Sequence, residues 1–214
     1  MVANNPAPSI SMKIILHLCA DTGSDTRPYS FDPEYKIIRV GSNIGVENYH
    51  PPKDVYGIIA NPVCTEFSVA RDGKARNTEE GMFLVRECQR IIKEAGDVKF
   101  WVIENPATGR LKDFLGEPTM TYEPWHFGSP WTKKTALWGK FNKPKRIYQQ
   151  WEDVPKIPGL YQRPGRGKPS LAFMHKSAYA LIEEFWTLPK PETDAEFRSI
   201  CSQKFAQAFY EANK

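Results

Sequence analysis

No stretch of this 214-residue chain approaches the roughly 20 consecutive apolar residues that a bilayer-spanning helix needs. The opening segment, Met1 to Ser11, is polar, holds two prolines and lacks a basic-then-apolar pattern, so it reads as a loose, disordered tail and not as an export signal. No membrane partner is expected, and cytoplasmic residence is the default. There is no Cys-x-x-Cys pair: Cys19, Cys64, Cys88 and Cys201 stand far apart, which excludes a legible zinc site or disulfide framework, and no metal is expected. There are no internal repeats, and nothing in the chain specifies an oligomeric state.

What is present is ordinary globular composition, 41% hydrophobic and 25% charged, enough for one substantial core and a small appendage. The net charge of +4 is unevenly spread. Between Lys133 and Lys176 eleven lysines and arginines face two acids, Glu152 and Asp153, so that segment carries +9 and the remainder −5. A basic segment on an acidic body is a phosphate-binding surface or a solvated loop.

Short apolar runs with turn signals between them predict strands at Lys13 to Leu18, Tyr35 to Val40, Val55 to Ala60 and Val98 to Ile103. Met82, Val85, Cys88, Ile91, Ile92 and Ala95 recur at helical spacing, and Gly96 closes that helix. This rhythm predicts an α/β fold: a Rossmann-like parallel sheet with helices on both faces. Further on, a short helix is expected over 107–115, strands over 119–127 and 135–141, and helical segments over 177–186 and 194–212. Residues 12–139 and 171–214 form the expected catalytic core. Residues 140–170, rich in Pro, Gly, Lys and Arg, form an irregular basic excursion expected to contact nucleic acid.

In open parallel sheets, ligands bind beyond the carboxyl ends of the strands. Three groups of polar residues fall there: Asp21 to Asp25, Asn61 to Ser68, and Glu104 to Pro106. Cys64 follows the break at Asn61-Pro62. A thiol is a nucleophile only as thiolate, which a helix start or a cation such as Arg71 would favour; the alternative is a small buried residue at a strand end. Glu104 is either a carboxyl of raised pKa able to protonate a ring nitrogen, or an acid at a helix start. Cys88 reads as packing, and Cys19 is ambiguous.

Asn61-Pro62-Val63-Cys64-Thr65-Glu66-Phe67-Ser68 resembles the Pro-Cys-x-x-Phe-Ser nucleophile motif of the cytosine-C5 DNA methyltransferases. Glu104-Asn105-Pro106 resembles their Glu-Asn-Val motif, and Leu16 to Ser24 their first, cofactor-binding motif. Phe127 to Trp138 resembles a block of the small, phage-type members. The likeness spans about residues 13 to 140, with a weaker match over 197–213. It implies a Cys64 thiolate that adds to C6 of cytosine, a Glu104 that holds N3 and the exocyclic amine, and an Asn105 and a Pro106 that fix Glu104; Arg71, read from the residues alone, would be the cation that favours the thiolate. It implies S-adenosyl-L-methionine bound by Leu18, Cys19, Asp21, Thr22, Gly23, Ser24, Asn61 and Pro62. The target in DNA would be contacted by Thr65, Phe67, Ser68, Pro106, Lys133, Lys134 and Thr135, after the base is flipped out.

Amino-group methyltransferases use a related Asn/Asp-Pro-Pro-aromatic motif, but its fourth position needs an aromatic, and Cys64 stands there. The first motif departs from the family's Asp-Leu-Phe-x-Gly-x-Gly-Gly: His17 and Asp21 replace expected residues, and Gly41-Ser42 stands where an acid for the ribose hydroxyls is usual. No large target-recognition domain is present. Two alternatives stay open: C5 modification of a free pyrimidine nucleotide or RNA, and a catalytically silent nucleic-acid-binding protein on the same scaffold.

Overall fold

The structure is a computed structural model in which residues 12–20, 22–63 and 77–214 are described. It is an α/β fold built on one six-stranded, mostly parallel mixed sheet. Strands β1 (Lys13–Leu18), β2 (Tyr35–Val40), β3 (Val55–Ala60) and β4 (Phe100–Pro106) are parallel; β5 (Met120–Tyr122) and β6 (Thr135–Lys140) complete the order β2-β1-β3-β4-β6-β5. The expectation of a purely parallel sheet is therefore corrected: β6 is antiparallel to both β4 and β5. The chain reaches β6 from β5 through residues 123–134, which return it in the opposite direction.

Alternation along the strands sends side chains to two faces. Leu16 and Leu18 of β1, with Ile58 and Ala60 of β3, pack against Met82, Val85, Cys88 and Ile91 of helix α2 (Thr78–Ala95). On the opposite face Ile15, Ile59, Phe100 and Val102 meet Tyr29 of α1 (Arg27–Phe31) and Phe205, Ala206 and Phe209 of α5 (Gln203–Asn213). Gly57 lets the Phe100 ring cross β3: a Cβ there would lie 2.3 Å from the ring.

Several elements are shorter than their patterns predict. The strand expected over 119–127 stops at Tyr122, because Pro124 opens a 3-10 turn, Pro124–Phe127. The helix expected over 107–115 is confined to α3 (Lys112–Leu115). The segment 177–186 is two 3-10 turns, Lys176–Leu181 and Glu183–Phe185; its apolar residues wrap around Trp131 in a cluster with Leu171, Met174, Phe197 and Ile200. The last segment breaks into α4 (Asp194–Ser199) and α5, where the Ser202 hydroxyl caps the Phe205 N–H at 3.1 Å. Among the described residues no helix is long and apolar enough to cross a membrane.

Candidate active site

The strand order reverses direction between β1 and β3, and such a switch point opens a crevice at the carboxyl ends of the strands. Two pairs of residues from the sequence motifs meet at this edge. β4 runs further than expected, to Pro106, because Glu104, Asn105 and Pro106 pair with Leu137, Ala136 and Thr135 of β6. β3 ends at Ala60, opposite Ile103, so Glu104 is the first residue to pass the end of β3.

Asn61 joins the two strands. Its amide nitrogen donates to Glu104 Oε2 at 3.1 Å and to Asp25 Oδ1 at 3.3 Å. Its carbonyl oxygen accepts from His17 Nε2 at 2.8 Å. An amide oxygen cannot donate, so Nε2 carries the proton. Burial pushes the His17 pKa down, against the opposing pull of Asp25, which leaves a neutral ring whose Nδ1 accepts from Thr26 Oγ1 at 3.0 Å. His17 thereby fixes which way Asn61 faces. Asn105 makes the second brace: its side-chain nitrogen donates to the Pro62 carbonyl at 2.9 Å, while its buried Oδ1 has no partner among the described residues.

The Glu104 carboxyl is raised above the usual carboxylate range. Burial is the largest cause and the Asp25 charge adds to it; Lys133 and the Asn61 hydrogen bond oppose it. Asp25 is 14% exposed. Among the described residues neither acid forms an ion pair with a lysine or arginine. Below them lies a cavity of about 20 Å³, lined by Asp25, Glu104, Cys201, Phe205 and apolar neighbours. It is large enough for one water and far too small for a nucleobase.

The residues expected to bind a cofactor have varied surroundings. Leu18 is fully buried. Cys19 adopts a left-handed backbone, φ 54°, with its thiol 3.8 Å from that of Cys88. Gly23 has φ 69°, and a Cβ there would lie 2.6 Å from the Arg39 guanidinium. Thr22 and Ser24 share a hydroxyl contact of 3.1 Å, and Ser24 also accepts the Cys201 N–H at 3.0 Å. At the expected substrate positions, the Lys133 ammonium donates to the carbonyls of Ser199 and Ile200, both at 3.1 Å. Thr135 is buried and donates to the Lys133 carbonyl, Pro106 is partly buried, and the Lys134 side chain is exposed. Asp21, Cys64, Thr65, Phe67, Ser68 and Arg71 lie outside the described residues.

Asp25 lies in one of the strand-end groups singled out in the sequence, whereas the site roles of His17 and Cys201 escaped sequence reasoning. The only signal was a histidine inside an otherwise apolar strand. Among the described residues no group of three or more His, Cys, Asp or Glu side chains could hold a metal. No protein-family model and no curated protein matches the chain.

Proposed function

We propose that the chain transfers a methyl group from S-adenosyl-L-methionine to C5 of cytosine in DNA, on a Rossmann-like methyltransferase core. The observation that carries this reading is the double brace between the two motif strands: Asn61 to Glu104, and Asn105 to the Pro62 carbonyl. It holds the acid of one motif against the root of the segment that bears Cys64. The strand order, with its switch point between β1 and β3, supports the same core.

Cytosine C5 is a poor nucleophile. The Cys64 thiolate adds to C6, forming an S–C6 bond, and electron density moves through the ring toward N3. Glu104, whose carboxyl burial and Asp25 raise, donates its proton to N3 with one oxygen and accepts from the exocyclic amine with the other. C5 is then enamine-like. When bound, S-adenosyl-L-methionine supplies the electrophilic methyl. Loss of the C5 proton to a base and cleavage of the S–C6 bond restore the aromatic ring and the thiolate. Asn61 and His17 hold Glu104 in place throughout, and the target base is reached by flipping.

The donor carries a sulfonium and an ammonium. Asp25, a carboxylate at the switch point that forms no ion pair with a lysine or arginine among the described residues, suits that charge. Leu18, Cys19, Asp21, Thr22, Gly23, Ser24, Asn61 and Pro62 are the residues that would hold it. The ribose would find no acid directly after β2, where Gly41 and Ser42 stand.

Mass spectrometry of nucleosides from DNA incubated with the protein and donor tests the proposal. The expected product is 5-methylcytosine from the native chain and none from Cys64→Ser. DNA carrying 5-fluorocytosine is expected to form a covalent adduct with the native chain. N4-methylcytosine as product, or full activity of Cys64→Ser, overturns the mechanism.

A further inference from the structure

The basic excursion meets the sheet at the turn that follows β5. Tyr122 pairs with Thr135, and Thr135 with Pro106, so this turn and the Glu104–Asn105 pair share one edge of the sheet. The backbone N–H groups of Ile147 and Tyr148 both donate to the His126 carbonyl and tie the excursion there. Trp125 and Trp151 then lie 6.4 Å apart, edge to face. The Lys168 ammonium lies over both indoles, 4.5 Å from the Trp125 ring and 5.3 Å from the Trp151 ring.

We propose that Lys168, cradled by Trp125 and Trp151, is a phosphate anchor for the DNA whose cytosine enters the candidate site. The choice of DNA rests on the proposed function; the anchor itself rests on the following observations. Of the eleven cations between Lys133 and Lys176, only Lys140 forms an ion pair among the described residues, with Asp97. The segment's positive charge is thus left for an external anion. Lys168 is held over two indoles without an ion pair among the described residues, with the Glu123 carboxyl the acid that feels its charge. Lys156 also lies over Trp151, at 4.2 Å, but its ammonium donates to the carbonyls of Trp151 and Val154. Among the described residues Lys168 has no such acceptor. Glu152 and Asp153, the two acids of the segment, form no ion pair with it.

An ammonium fixed by two indoles loses little side-chain freedom when it takes a ligand. A compact cation of that kind suits a phosphate oxygen. The positive field is felt nearby: burial first, then Arg146 and Lys168, push the His126 pKa down to about 4. Arg146 itself donates to the Thr121 carbonyl at 2.9 Å, which places a second cation on the same side of the turn.

The test is binding of a short fluorescein-labelled DNA duplex to the full-length chain, followed by anisotropy over a series of salt concentrations without methyl donor. Each phosphate contact contributes about 0.9 to the slope of log affinity against log salt. Lys168→Ala is expected to weaken binding on every sequence and to reduce that slope by about 0.9. Lys168→Arg is expected to keep the slope. Trp151→Leu, which leaves the charge but removes half its cradle, is expected to weaken binding with most of the slope retained. An unchanged slope in Lys168→Ala, or binding of RNA but not of DNA by the native chain, overturns the anchor. Because binding is read without donor or product, its failure is distinguishable from failure of methyl transfer, which the nucleoside assay reads separately.

Discussion

Glu104 and Glu184 are both glutamates whose carboxyls are raised above the ordinary range, and burial is the largest cause for each. Their partners differ. Both oxygens of Glu184 accept from Ser129 Oγ at 2.9 Å, and Oε1 also accepts the Gln203 N–H at 3.2 Å. Ser129 has one proton and gives it to Glu184, so the Ser129–Ser202 contact of 2.7 Å is donated by Ser202. Lys204 stands nearby and opposes the upward shift. Glu184 is thus a tie among the turn at Ser129, the 3-10 turn at 183–185 and the start of α5. Among the described residues Glu104 receives one hydrogen bond, from Asn61, and faces a second carboxylate. A raised pKa alone does not mark a site. What separates the two among the described residues is acceptor capacity: Glu184 takes hydrogen bonds on both oxygens, Glu104 on one.

The sharpest test of this difference is activity. Glu104→Gln is expected to lower methyl transfer by about 10²–10⁴-fold, the usual range for a positioned acid, with 5-methylcytosine yield as the readout. Glu184→Gln should leave the yield per folded molecule near that of the native chain. If both variants lose activity alike, the contrast fails.

Stability should rank the two in the opposite order. Glu184→Ala leaves the Ser129 hydroxyl and the Gln203 N–H without an acceptor, at about 1–3 kcal/mol for each group left unpaired. At this chain length that lowers Tm by about 2–4 °C per kcal/mol, measurable by thermal unfolding.

Asn61→Asp sharpens the account of the Glu104 side. A third carboxylate beside Asp25 and Glu104 replaces the amide that donates to both. The variant is expected to be inactive and to be less stable at neutral pH than in mild acid, as unfolding in urea at the two pH values would read.

The smallest effect is the pH dependence of Glu104→Gln. The folded carboxyl titrates above its unfolded value, so its contribution to stability is fully present below the ordinary glutamate range and is lost as pH rises through the folded pKa. Glutamine removes that loss. The variant is therefore expected to be slightly more stable than the native chain at neutral pH, with the gap closing in acid. Glu184→Gln is expected to show no such gain, because its amide would face two donors.

Strands β1 to β3 and α2 were legible because burial on a sheet, or on one helix face, leaves apolar residues at a regular period. The extension of β4 to Pro106 was not, because it depends on β6, thirty residues later in the chain. The segment 177–186 has apolar residues at helical spacing, yet those residues answer to Trp131 and fold as tight turns. In the site, Asn61, Glu104 and Asn105 could be picked out because their strands share one plan. The role of His17 could not, since it is defined by Thr26 and by an asparagine forty-four positions away. Lys133 drew attention as a cation in a basic run, but backbone carbonyls at 199 and 200 engage its ammonium.

The floor beneath Glu104 has a bearing on biosynthesis. Cys201, Phe205, Ala206 and Phe209 line the small cavity, and Cys201 donates to Ser24 across 177 positions of chain. The four parallel strands and α2 leave the ribosome well before these residues do. Until residue 209 has emerged, Glu104 lacks part of the enclosure that raises it. A nascent chain can thus complete its central sheet before the floor beneath its acid is in place, so the enclosure of this edge would be finished last, by the closing of α5.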